Sequence, residues 1–476
     1  MIRKTTLALA TFFIGIISAT SQPSTVTVGN TTLDVRVVIE GTNSSNGIDI
    51  PWEIQWGPDN FIWMTERYGR VSRLDPETGV RTTILDLTNA VYDQSEAGLL
   101  GLQLHPDFAN NPYVYIAYTY SSGGVKERIV RYTYNESTNS LGSPFILLDN
   151  INGNSTHNGC RLLMLPDGTM LATTGDYQNQ SSPQNVNHLN GKILRMNLDG
   201  SAPSDNPFGP TNYTYTMGNR NAQGLTLSPN GKIYSSEHGP STNDEFNIIV
   251  AGGNYGWPDV EGYCNESGEI VDCNNMTDYQ DPLTIWYENS TIAPSDLIWY
   301  NHPAIPEWQG KMLMTVLKNK HLKEIEVDGT NGTTVVSETI WFQNTFDRLR
   351  DILATPDGRV FLATSGTQWA NTNPFSHSII ELKNSAYSPV GVEDQVVKLR
   401  TGIYPNPSNG NLEFTFSQHL LNGTITILDV AGKTLYTDVI TGNKMKLDLS
   451  VLASGLYIAS AIKGNYTSTE RLIISE

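Results

Sequence analysis

The 476-residue sequence is poor in cysteine, in positive charge and in long apolar runs, and each shortage removes a class of protein. Its three cysteines, Cys160, Cys264 and Cys273, are too few for a disulfide scaffold. Cys264 and Cys273 bracket a polar loop that a local bridge would close in an oxidising compartment. Cys160 leads into an apolar stretch and reads as a buried thiol. Against 48 Asp and Glu stand only 30 Lys and Arg, a formal net charge of -18. Such a surface repels phosphate backbones, so nucleic acid is not an expected partner. No apolar run beyond the first 22 residues approaches membrane-spanning length. Helical periodicity long enough for βαβ units is missing, as is a glycine-rich nucleotide fingerprint.

What is present begins with a leader. Arg3 and Lys4 precede an apolar core from Leu7 to Ile17 and the small residues Ser18, Ala19, Thr20 and Ser21. This is the pattern of a secretory signal peptide over residues 1–21, cut after Ala19 or Ser21, and it implies an exported, secreted or cell-surface protein. The 41 glycines and 22 tyrosines suit many short strands joined by turns. Apolar runs broken by a Pro-Asp-Gly-like turn recur at Pro58-Asp59-Asn60, Pro106-Asp107, Pro166-Asp167-Gly168, Pro229-Asn230-Gly231 and Pro356-Asp357-Gly358, with a degenerate copy at His302-Pro303. Proline fixes φ at the second turn position and glycine or asparagine takes the positive-φ position, which reverses the chain between antiparallel strands. Six such hairpins at a spacing of roughly 60 residues suit the blades of a propeller. The expected fold is all-β, a six-bladed β-propeller over residues 22–386, a linker at 387–401 and a small β-sandwich over 402–476.

Four constellations could carry chemistry. His157 lies in the polar loop Asn154-Ser155-Thr156-His157-Asn158-Gly159 before an apolar strand, and Asp176 closes the same hairpin nineteen positions on. A base and an orienting carboxylate fit this spacing, and so does a structural histidine. Gly218-Asn219-Arg220-Asn221-Ala222-Gln223-Gly224 packs donors for an oxygen-rich ligand, or satisfies its own backbone. Glu237-His238-Gly239-Pro240 and Asn243-Asp244-Glu245 supply hard oxygen ligands without EF-hand spacing. Lys318, Arg348 and Arg350 form a basic cluster in an acidic chain. Two guanidiniums two apart on a strand would share a face, unless Asp347 and Asp351 pair with them.

Taken in order, these segments resemble the soluble quinoprotein glucose dehydrogenases and the wider glucose/sorbosone dehydrogenase family. The likeness runs from Trp56-Gly57-Pro58-Asp59-Asn60 through Gly98-Leu99-Leu100-Gly101, the His157 loop, Gly191-Lys192-Ile193-Leu194-Arg195, Arg220-Asn221-Ala222-Gln223-Gly224 and Glu237-His238-Gly239-Pro240 to Gly253-Asn254-Tyr255-Gly256-Trp257-Pro258. The tail resembles a type IX secretion sorting domain in Tyr404-Pro405-Asn406-Pro407, Gly455-Leu456-Tyr457 and Arg471-Leu472-Ile473-Ile474.

The first resemblance implies pyrroloquinoline quinone (PQQ) and Ca2+ at one end of the propeller channel. A sugar would be oxidised at its anomeric carbon and its electrons passed to an external acceptor. His157 would be the general base, Asp176 its orienting carboxylate, and Arg220 the stabiliser of negative charge on the reduced quinone. Glu96, Asn221, Lys318, Arg348 and Arg350 would contact the cofactor. The main-chain carbonyls of Gly239 and Pro240 would hold the calcium. Glu96 stands where glucose-oxidising members carry glutamine, and either Gln178 or Gln180 replaces a further glutamine contact. The tail implies the type IX secretion machinery as a partner, with export through the periplasm, and the propeller is expected as a monomer or homodimer. Two other readings suit a propeller: a cofactor-free carbohydrate- or protein-binding module, and a calcium-dependent lactonase-like hydrolase.

Overall fold

The computed structural model describes residues 23–41, 48–265, 267–286, 290–329, 331–367, 375–388, 397–399, 401–430, 432–464 and 466–475. The expected signal peptide and most of the expected linker lie outside these residues. The chain divides after Tyr387 into two compact units.

Among the described residues the first unit holds six antiparallel sheets of four or five strands. Their first strands are β1 (Pro51–Trp56), β2 (Leu99–Leu104), β3 (Gly159–Met164), β4 (Ala222–Leu227), β5 (Pro294–Tyr300) and β6 (Arg348–Ala354). Each packs against the next and β6 packs against β1, so the strands close a ring in the manner of a β-propeller. They are mostly buried, which fits strands covered on both faces, and they carry buried polar residues such as Glu53, Arg161 and Gln223 among their apolar ones. The Pro-Asp-Gly-like turns follow the C-terminal ends of β1, β2, β3, β4 and β6, joining each to the second strand of its sheet. The loops that enter these strands lie at the opposite ends, and they carry Glu96, His157, Arg220 and Ala293.

The sixth sheet is built from both ends of the unit. Thr31–Ile39 pairs with Ile379–Lys383, placing Asp34 opposite Lys383. Apolar clusters fill the interfaces between neighbouring sheets, such as that around Trp63, Tyr132 and Leu102 and that around Tyr115, Leu162 and Met170.

Polar side chains on four ring strands meet in the channel. Arg161 of β3, 1% exposed, donates to Glu53 of β1 at 2.5 Å and to Asp351 of β6 at 3.0 Å, and lies 3.4 Å from Asp296 of β5. One guanidinium therefore serves three buried carboxyls.

The only α-helix among the described residues, Ser267–Asn275, was not expected from the sequence. It is short and polar and carries the second half of the Cys264–Cys273 disulfide, a bridge that the sequence allowed without deciding. Cys160 is buried and free, as expected.

The second unit contains a five-stranded and a three-stranded sheet around one apolar core that includes Phe414, Ile427, Leu447 and Leu472. Its strands include Asn411–Thr415, Thr424–Leu428, Lys444–Asp448 and Gly455–Lys463. The linker boundary needs correction. Val397–Leu399 pairs in parallel with Tyr466 to Ser468, so three residues assigned to the linker belong to the tail's larger sheet.

Candidate active site

His157 is held in an unusual backbone conformation by its surroundings. Its φ is +57°, and its carbonyl approaches the chain so closely that a Cβ on Gly175 would lie 1.9 Å from the oxygen. The hairpin read from the sequence is present, with Gly159 opposite Thr174, and it brings the two chain segments together. Glu96 secures the same loop from the preceding sheet by accepting the His157 amide at 3.1 Å.

The imidazole is held at both nitrogens. Nδ1 lies 2.7 Å from Asp176 Oδ1, so the tautomer with hydrogen on Nδ1 satisfies that bond. Nε2 then turns its lone pair to the Gln178 amide and the Arg220 Nη2, each at 3.2 Å. Both candidate glutamines are exposed, and Gln178 is the one whose side-chain amide lies 3.2 Å from His157 Nε2.

Burial pushes the Asp176 carboxyl up, but the His157 ring, the Gln178 amide and the Trp257 indole outweigh it and hold the group below the usual aspartate range. The Trp257 Nε1–H donates to Asp176 Oδ2 at 2.9 Å, and the Arg220 guanidinium lies over the same indole. Trp257 is therefore a site residue that the sequence did not reveal, because it lies 81 positions from its partner. Trp257→Phe keeps most of the ring and removes the donor. We expect kcat to fall by roughly tenfold, the loss of about one hydrogen bond to a charged group, with the acidic limb of the pH–rate profile moving to lower pH, because a less firmly held Asp176 stabilises the protonated base less. A kcat and profile matching wild type would show that Asp176 needs no second partner.

Glu237 organises the polar loop of the next sheet. It accepts the backbone amides of Arg220 and Asn221 and, at 3.0 Å, the Asn219 side chain. Arg220 is thereby aimed at both His157 and the His238 carbonyl, the latter at 3.0 Å. The Asn221 amide oxygen accepts from Gly159 N and Gln223 Nε2, leaving its buried Nδ2 and the buried Arg220 Nε without a partner.

Beside these groups a cavity of about 140 Å3 opens at the mouth of the ring. Glu96, Asn158, His238, Arg348 and Arg350 supply its polar wall, and Trp52 and Leu317 part of its apolar wall. Arg348 and Arg350 both line the cavity, on a strand that bulges between Leu349 and Asp351. The neighbouring acids are engaged elsewhere, Asp347 with Lys320 at 2.8 Å and Asp351 with Arg161. Burial pushes Arg350 down to about 9, followed by the charge of Arg348, and burial lowers Arg348 as well. An anionic ligand there would offset that desolvation. His238 was not singled out by the sequence. Burial drives it down to about 3, so it is neutral, and Nε2–H donates to the Pro294 carbonyl at 2.7 Å.

Lys318 is not brought to this cavity. It is exposed, and its ammonium is directed to the hydroxyls of Ser290 and Thr291. Gly239 and Pro240 line an adjoining small pocket of about 10 Å3 with Arg220, Glu237, Glu245 and Glu261. Carbonyl and carboxylate oxygens are the donors that a hard cation takes. Asp244 is not free for that task, because it accepts the amides of Gly239, Ile292 and Ala293.

Comparison with known proteins gives this arrangement a family. The glucose/sorbosone dehydrogenase model matches residues 48–370, and a secretion system C-terminal sorting domain matches 402–475. The quinoprotein glucose dehydrogenase B of Acinetobacter calcoaceticus is 34% identical over 70% of this chain and 85% of its own length. An aldose sugar dehydrogenase of Escherichia coli is 28% identical over 67% and 87%. Among solved structures, the PQQ-bound aldose sugar dehydrogenase of Streptomyces coelicolor superposes with a TM-score of 0.62 at 30% identity, covering 74% of this chain and 98% of that one. The chain belongs to the glucose/sorbosone dehydrogenase family and is an oxidoreductase. Its tail is a sorting domain of a secretion system, the mark of a secreted or cell-surface protein.

Proposed function

We propose that this protein is a secreted PQQ-dependent dehydrogenase that oxidises an aldose or related sugar at its anomeric carbon, in a six-bladed propeller followed by a sandwich that serves as a type IX export address. The observation that carries the reading is the His157 imidazole. Asp176 holds its Nδ1 while Nε2 meets Arg220, beside a cavity walled by Arg348 and Arg350.

The residues fit the cofactor. Two buried donors without partners, Asn221 Nδ2 and Arg220 Nε, and two desolvated guanidiniums suit a flat ligand rich in carboxylate and carbonyl oxygen. PQQ, when bound, supplies the quinone that accepts the hydride. His157 Nε2 takes the proton of the anomeric hydroxyl, and Asp176 stabilises the imidazolium that results. Arg220 places positive charge where negative charge develops. Arg348 and Arg350 hold carboxylates, with Glu96 beside them. The carbonyls of Gly239 and Pro240 would hold a calcium ion as a Lewis acid.

The test is a titration of purified protein with PQQ in the presence of Ca2+, followed by reduction of a dye acceptor on adding a panel of aldoses. Arg350→Gln should weaken PQQ binding by about 1.5–3 kcal/mol, on the order of 10- to 100-fold. Wild-type protein that takes up no PQQ at micromolar concentration would overturn the assignment.

A further inference from the structure

Lys192 carries a buried charge for which the reaction has no use. Its side chain is 0% exposed. All three ammonium protons are matched by main-chain carbonyls, those of Ser182 at 2.9 Å, Pro183 at 2.8 Å and Asn190 at 2.8 Å. Burial pushes the group down to about 7, and the three carbonyls replace the water it has lost.

All three acceptors lie in one loop, residues 177–191. That loop leaves Asp176 at the end of one strand and returns at Lys192, the first residue of its neighbour, where Thr174 and Lys192 stand opposite each other. Lys192 thus reaches back across the loop it terminates and ties down both ends of its inner half. Further bonds fix the same segment, from Gly218 N to the Pro183 carbonyl at 3.0 Å and from Gly191 N to the Gly175 carbonyl at 2.9 Å.

From this anchored segment the contacts lead to the base. Gln184, next to Pro183, exchanges hydrogen bonds with Asn254 at 3.0 and 2.8 Å and donates to the Trp257 carbonyl at 2.9 Å. Trp257 in turn holds the second oxygen of Asp176, whose first oxygen holds His157. At its other end the loop carries Gln178, which touches His157 Nε2.

We infer that Lys192 is a positioning residue for the base. By fixing loop 177–191 it sets Gln178 and, through Gln184 and Trp257, the Asp176 carboxylate against His157. The inference rests on reading His157 as the base, and the readout is chosen so that the two can fail separately. In cofactor-free protein with 13C-labelled histidine, the His157 resonance is assigned by its loss in His157→Ala and titrated in wild type, Lys192→Met and Gln184→Ala. A loosened Asp176 stabilises the imidazolium less, so the His157 midpoint should fall in both variants. In the loaded enzyme kcat should drop by about 100-fold, the size of effect expected for a misplacement near 1 Å. KM and PQQ affinity should stay close to wild type. In Lys192→Ala, added methylammonium should restore part of kcat, because it returns the lost charge to the carbonyl cage.

Folded Lys192→Met with wild-type His157 titration and kcat would overturn the inference. If that variant does not fold, Gln184→Ala cuts the same chain of contacts from a half-buried residue, and an unshifted His157 there overturns it equally. A protein that binds no PQQ leaves the titration readable, so loss of the proposed function and loss of this coupling give different results.

Discussion

Replacing His157 by alanine should leave PQQ binding intact and lower kcat by about 100- to 10,000-fold, the range that a positioned general base contributes. The ring makes few structural contacts that alanine would forfeit. The ring is 13% exposed, and its partners Asp176, Gln178 and Arg220 keep other anchors in Trp257, Thr156 and the His238 carbonyl. The variant should therefore fold normally, which makes the comparison clean. Steady-state kinetics on the loaded enzyme, paired with a PQQ titration, separates the two effects. Turnover within tenfold of wild type would move the role of base to another group, while failure to bind PQQ would make His157 a cofactor ligand.

The second large effect concerns stability. Arg161→Met removes the single cation shared by Glu53, Asp296 and Asp351, all of them buried. Breaking such an arrangement from one side leaves uncompensated charge in the interior and should cost about 3–5 kcal/mol. The deficit should depend on pH with a definite sign. Burial already holds the Glu53 carboxyl up at about 8, against the pull of the Arg161 charge. A carboxyl raised in the folded state binds its proton more tightly there than in the unfolded chain. Its contribution is present below the ordinary glutamate range and is lost as pH rises through about 8. Without Arg161 the carboxyl rises further, so the variant should recover stability on acidification and lose more of it on going to alkaline pH. Urea midpoints at pH 5 and pH 8 test this. An equal loss at both values would show that Arg161 acts through packing alone.

The sequence revealed what is local. Pro-Asp-Gly-like turns marked where ring strands end, because turn chemistry is confined to a few adjacent residues. The hairpin carrying His157 and Asp176 was legible for the same reason. Resemblance to a family supplied Arg220, Asn221, Arg348 and Arg350, whose surroundings in the fold agree with the residue types. What stayed hidden was everything that depends on distant partners. Arg161 sat in plain view beside His157, yet its significance comes from Glu53 and Asp351, 108 and 190 positions away. Trp257 and His238 looked like parts of a glycine-rich turn, and only the closing of the ring brings them to Asp176 and the cavity wall. Lys318 shows the converse. Its position matched the family, but its side chain lies against Ser290 and Thr291.

The pairing of Thr31–Ile39 with Ile379–Lys383 has a bearing on how the molecule comes to exist. A ring closed by strands from its two ends behaves like a clasp. Until the later strand has been synthesised and delivered, the earlier one presents an open edge and the last sheet stays incomplete. A nascent chain with residue 379 still behind it therefore cannot reach the closed form, however much of its length has emerged. Maturation is an all-or-nothing event timed by the far end of the ring, and the mouth with His157 assembles when the clasp shuts.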